Sequence, residues 1–152
     1  MLCYSDPGKR GDFMVKQSKE IEASGHLYTV EIRFFGDHLD PQGISRQLNL
    51  RASTVGPLGS KKIPVWAYNG EGEIGFHAEW ASLEPGLEFL IQLLLPARPA
   101  ILELSKNHKG CWWCGHFQSS FDGGPELSPK ILADLASFGL PLSIDNYFSN
   151  ED

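Results

Sequence analysis

The chain lacks any motif that would assign it a reaction. Neither Gly-x-Ser-x-Gly nor His-Glu-x-x-His occurs, so the local geometries of a nucleophile elbow and a zinc protease helix have no sequence to build on. The run Gly56-Pro57-Leu58-Gly59-Ser60-Lys61-Lys62 has the composition of a phosphate loop but not its G-x-x-x-x-G-K-[ST] spacing, and no helix is expected to open after the lysines. Three cysteines in 152 residues, Cys3, Cys111 and Cys114, are too few for a disulfide scaffold. The N-terminus shows no apolar core of a signal peptide. The longest apolar run, residues 87–96, is broken by Glu88 and Gln92 and is too short to span a bilayer. Basic residues are scarce as well. Thirteen stand against 19 acidic ones, a net charge of −6, which argues against a nucleic-acid partner gripped through its phosphates. A cytoplasmic protein with no membrane and no nucleic-acid partner is the expectation.

What is present is an ordinary globular composition, 41% hydrophobic and 21% charged, enough to bury one core. The charge is uneven. Residues 1–70 hold nine basic and seven acidic residues, which leaves four basic and twelve acidic for residues 71–152. An acidic half can steer a basic partner, and it can equally be a solubilising surface.

Residues 1–26 read as an N-terminal extension. They are polar and mixed in charge, with Met14 a possible natural start and residues 15–21 a short lead-in strand or turn. A single domain over residues 27–148 follows, then a tail at 149–152. Tyr28, Val30, Ile32 and Phe34 alternate with Thr29, Glu31 and Arg33, which predicts a half-buried strand over 27–35. Gly36 breaks it. Asp40 as N-cap, Pro41 in the first turn, and Ile44 and Leu48 four apart predict a helix over 41–48.

Residues 51–62 read as a loop. Strands are expected at 63–68 and 73–80, joined by a hairpin at Asn69-Gly70. Leu87, Leu90, Ile91 and Leu94 give one apolar face to a helix over 84–95, which Pro96 should end. A second strand pair is expected at 100–104 and 111–119. Ser128 as N-cap and Pro129 then open a third helix, with Gly139 as its C′ residue, and 142–148 closes as a strand. The expected fold is α+β: a mainly antiparallel sheet with helices packed on one face, a ferredoxin-like β-α-β-β-α-β followed by a further β-α-β.

Two groups of residues carry possible function. His108, Cys111, Cys114 and His116 lie within nine residues, and Cys-x-x-Cys-Gly can turn two thiolates toward zinc. A regular strand would instead send Cys111 and Cys114 to opposite faces, where a free thiol behaves as a small hydrophobe. The second group is a protein-binding set. Glu71, Glu73, Glu79, Glu84 and Glu88 supply acidity, and adjacent Trp112 and Trp113 must point to opposite faces of the sheet, one of them toward a covering layer or a partner.

With these elements placed, the chain resembles the bacterial family called domain of unknown function 4279 over about residues 28–148. The likeness is carried by Tyr28-Thr29-Val30-Glu31-Ile32-Arg33-Phe34-Phe35-Gly36 with Asp40-Pro41 and its short helix, and by the Trp66 strand. The helix ending at Leu95, and residues 127–140 leading into Leu142-Ser143-Ile144-Asp145-Asn146-Tyr147, complete it. Residues 1–26 and the segment from Cys111 to Cys114 stand outside it. The resemblance implies a small cytoplasmic bacterial domain with no catalytic residue to carry over, some of whose relatives look like immunity proteins. The expected function is therefore a non-enzymatic immunity protein or antitoxin that masks a basic toxin, with no cofactor. The alternative is a small metal-binding or ligand-sensing domain built on Cys111, Cys114 and His116, with zinc as the metal.

Overall fold

Alternating apolar residues place β1 (His26–Phe35) at the centre of a five-stranded sheet of order β2-β3-β1-β4-β5. The computed structural model describes residues 25–149. The expectations for residues 1–24, Met14 and 15–21 among them, and for the tail at 150–152 lie outside the described residues. Helix α1 (Pro41–Leu48) follows β1, then β2 (Thr54–Leu58), β3 (Ile63–Tyr68), α2 (Leu83–Leu94), a 3-10 turn (Leu95–Ala97), α3 (Arg98–Asn107), β4 (Lys109–Gln118), α4 (Pro129–Ala136) and β5 (Leu142–Phe148). All strand neighbours are antiparallel except β4 and β5, which are parallel. The fold is α+β with a mostly antiparallel sheet, as expected.

The register sorts the sheet into two faces. Tyr28, Val30, Ile32 and Phe34 of β1 lie opposite His116, Cys114, Trp112 and Gly110 of β4, and Phe34 and Ile32 lie opposite Trp66 and Tyr68 of β3. This face packs with Ile44, Leu48, Leu87, Leu90, Ile91, Leu94, Ile101, Leu104, Ile131, Leu135 and Phe138 of the helical layer into one core. Trp66 and Trp112 are fully buried there. Burying two indoles and the ring of Phe34 removes the largest apolar areas in the chain from water, a contribution of several kcal/mol. The other face carries Leu27, Thr29, Glu31, Arg33, Cys111, Trp113 and Asp145.

Two expected strands are absent. Residues 73–80 form turns instead: Gly70 and Gly72 just before them and Gly75 within them adopt φ of 82, 92 and 89°. Such left-handed glycines curl the chain out of a pleat. The loop then packs Phe76 and Trp80 on Phe89 of α2, and only Trp80 reaches the sheet, exchanging two 2.8 Å backbone hydrogen bonds with Tyr28. Residues 100–104 belong to α3. Pro99 sits in the first turn, where it is tolerated, and Ile101 and Leu104 are buried three apart, a helical and not a strand spacing. Pro96 lies in the 3-10 turn between α2 and α3.

One strand was not expected. β2 lies inside the presumed loop 51–62, because an edge strand tolerates Gly56-Pro57. The hairpin turn is therefore Gly59–Lys62, not Asn69-Gly70. Of the expected caps, Ser128 accepts from the Ile131 amide at 3.3 Å and Gly139 is left-handed, whereas Asp40 is extended but makes no side-chain cap bond.

Candidate functional site

Two histidines, an asparagine and several aromatic side chains gather at the end of the sheet where β1 begins and β4 and β5 finish. Strand parity puts His26, Tyr28, His116, Asn146 and Phe148 on the helix side of this end, and Phe117, Asp145 and Tyr147 on the other. His116 is 3% exposed and stacks on Tyr28, ring centroids 4.6 Å apart. Its Nε2 lies 2.8 Å from Nδ1 of His26, and its Nδ1 lies 2.8 Å from Oδ1 of Asn146. Nε2 of His26 donates to the carbonyl of Asp122 at 2.7 Å.

The chain of bonds constrains its protons. With His26 Nε2 bound to a carbonyl, a neutral His26 must accept at Nδ1, so His116 donates from Nε2 and needs a donor at Nδ1 from the Asn146 amide group. If Asn146 instead accepts through Oδ1, the pair holds one extra proton, on His26 donating to His116 or on His116 donating from both nitrogens. Burial pushes the His116 pKa below the ordinary value, the charge of His26 adds to this, and the Asn146 hydrogen bond opposes it. These three hydrogen bonds clip together β1, β4, β5 and the loop at Asp122.

Around the clip lie exposed aromatics. Phe121, 85% exposed, stacks on Phe148 at 4.3 Å, and Phe117 stacks on Tyr147 at 4.9 Å. Further along the second face, the Arg33 guanidinium lies 3.7 Å over the Trp113 ring and is paired with Glu31, while Trp113 Nε1 donates to Asp145 at 2.9 Å. Glu31 is buried, which pushes its pKa up against the opposing pull of Arg33.

The residues singled out from sequence are only partly brought together. Trp112 and Trp113 do point to opposite faces. Trp112 is core, donating to the Leu135 carbonyl at 3.2 Å and meeting Phe138 edge-on, which takes it out of any binding surface. Trp113 lies on the second face. Cys111 and Cys114 are separated by the strand: Cys111 is opposite Arg33 and Cys114 opposite Val30 in the core. Burial pushes the Cys114 thiol up to about 12 and raises that of Cys111, which disfavours the thiolate form of both. His108 caps α3, its Nδ1 3.2 Å from the Leu104 carbonyl. Among the described residues, no three His, Cys, Asp or Glu side chains converge as a metal site.

The five glutamates lie in different settings. Glu84 accepts from the Ser128 hydroxyl and, at 3.3 Å, from its amide, tying α2 to the start of α4. Glu88 is exposed near Lys130. Glu71 and Glu73 are exposed in the turns after β3, and Glu79 is half-buried.

His26, Asn146, Phe121, Tyr147 and Phe148 escaped the sequence reading. His26 and His116 are 90 residues apart, and only the β1–β4 register makes them neighbours. The exposed aromatic pair at Phe121 and Phe148 had a fainter signal, two phenylalanines next to Ser, Asn and Asp residues that mark chain turns.

No helix among the described residues is long and apolar enough to cross a membrane. No curated protein and no solved structure matches the chain. The family described as a domain of unknown function, DUF4279, matches residues 26–149, a span that begins at the histidine of the clip and ends just past β5. The chain belongs to the DUF4279 family.

Proposed function

We propose that this chain is a non-enzymatic protein-binding domain that masks a cognate partner, in the manner of an immunity protein or antitoxin acting in the cytoplasm. The observation that carries the reading is the exposed aromatic pair of Phe121 and Phe148 at the end of the sheet. Large rings held flat against each other in water have lost little further freedom to give up on binding, which suits them as anchors. The clip of His26, His116 and Asn146 behind them fixes the strand and loop that present the rings. The acidic balance of residues 71–152 suits a basic partner. The order β2-β3-β1-β4 with antiparallel neighbours supports reading β1 to β4 and their helices as a ferredoxin-like unit, extended by α4 and β5.

The test is affinity purification of the tagged protein from cells that encode it, alongside Phe121→Ala/Phe148→Ala. A stoichiometric partner retained by the wild type and lost by the double variant is expected. No stoichiometric partner, or equal retention by both proteins, would count against the reading.

A further inference from the structure

The two edges of the sheet are built differently. β2, at one edge, contains Pro57, which removes an amide and blunts pairing. β5, at the other, has no proline, lysine or arginine between Leu142 and Phe148. Among the described residues only β4 pairs with it. Residues 145–149 are exposed.

The direction of the open peptide groups follows from two hydrogen bonds. The Trp112 amide donates to the Pro141 carbonyl at 2.9 Å, and the Ser149 amide donates to the Gln118 carbonyl at 3.0 Å. Odd-numbered residues of β5 therefore turn their peptide groups to β4. Those of Leu142, Ile144, Asn146 and Phe148 face the open edge. The exposed side chains along this edge include Asp145 and Tyr147 on one face and Phe148, with Phe121, on the other. From Gly110 to Ser149 the chain has four acidic residues, Asp122, Glu126, Asp134 and Asp145, and one basic residue, Lys130. Lys130 is paired with Asp134 at 2.8 Å.

We propose that the open edge of β5 takes up an extended, positively charged segment of a partner protein as a sixth strand. The added strand would hydrogen-bond the peptide groups of Ile144, Asn146 and Phe148. Its cationic side chains would meet Asp145, and its apolar ones would lie along Phe148 and Phe121. The proposal rests on the protein-binding reading and names the surface and the partner chemistry within it.

Asn146 allows a clean test, because its amide faces the open edge while its side chain serves the clip. Asn146→Pro removes the edge amide and the His116 contact. Asn146→Ala removes the His116 contact alone. The probe is a blocked peptide of about seven residues alternating lysine and valine, with a glutamate–valine peptide as control. Amide exchange and titration by NMR are read on the wild-type protein and on both variants. The lysine peptide is expected to protect the amides of Ile144, Asn146 and Phe148, to bind more weakly as salt rises, and to lose about tenfold or more in affinity in Asn146→Pro relative to Asn146→Ala.

Failure of the lysine peptide to bind, equal binding of the glutamate peptide, protection elsewhere, or equal affinity in the two variants would overturn the proposal. A wild-type dimer that Asn146→Pro dissolves would put a second copy of the chain at this edge and overturn it too. The exchange map on the wild type is independent of how the variants fold. A natural partner held equally by wild type and Asn146→Pro would leave the protein-binding reading intact and remove strand addition alone.

Discussion

Replacing His116 by phenylalanine tests the clip at the end of the sheet. The ring would keep its stack on Tyr28, where the centroids are 4.6 Å apart, and its burial at 3% exposure. It would lose the 2.8 Å bonds to His26 and Asn146. At about 1 kcal/mol net for each hydrogen bond, the variant should be less stable than wild type by roughly 2 kcal/mol at pH 8. The gap should depend on pH in a defined direction. The folded-state pKa of His116 lies below its ordinary value of 6.5, chiefly through burial and then through the charge of His26. Below pH 6.5 the unfolded chain therefore binds a proton that the folded chain refuses, so wild-type stability present above pH 6.5 is lost as pH falls. The slope is at most about 1.4 kcal/mol per pH unit.

The phenylalanine variant lacks this loss. Urea unfolding of the two at several pH values between about 8 and 5.5 should show a gap that narrows as pH falls through about 6.5. A gap that stays constant to pH 5.5, or widens, would refute the lowered pKa of the buried His116.

Three further outcomes follow from the packing. Gly110→Ala should cost about 1–3 kcal/mol in urea unfolding, since a Cβ there would lie 2.7 Å from the Arg33 carbonyl and 2.8 Å from the Phe34 ring. Trp112→Ala should cost about 3–5 kcal/mol and Trp113→Ala distinctly less, because the first is fully buried against Phe138 and the second lies half-buried under Arg33. Cys114, fully buried with its thiol pushed up to about 12, should resist iodoacetamide at pH 8 until the protein is unfolded, as read by mass spectrometry of peptides.

Local signals were legible where one residue type decides the backbone. The alternation of β1, the proline at the start of α1, and Ser128-Pro129 with Gly139 around α4 all predict the element that forms. Short apolar runs were not. Residues 100–104 and 73–80 read equally as strand by composition. Burial of Ile101 and Leu104 in the core made the first a helix, and left-handed Gly75, with Gly70 and Gly72 just ahead of it, made the second a series of turns. Gly56-Pro57 hid β2 because proline marks a loop everywhere except at a sheet edge. The fate of the Cys111 to His116 segment was conditionally legible: once it is a regular strand, parity alone parts the two thiols. The clip was not legible at all, because it depends on which strands lie side by side. His26, His116 and Asn146 come from three strands, and the register of β1, β4 and β5 brings them to one point.

The protein-binding reading is decided by whether the aromatic end of the sheet holds a protein partner. Tagged wild-type protein and Phe121→Ala/Phe148→Ala, purified from cells that encode the chain, give the comparison, with equal folded stability of the two confirmed by urea unfolding. One stoichiometric partner in the wild-type eluate, reduced at least about tenfold in the double variant, is the predicted result. Identical eluates from the two proteins would contradict it.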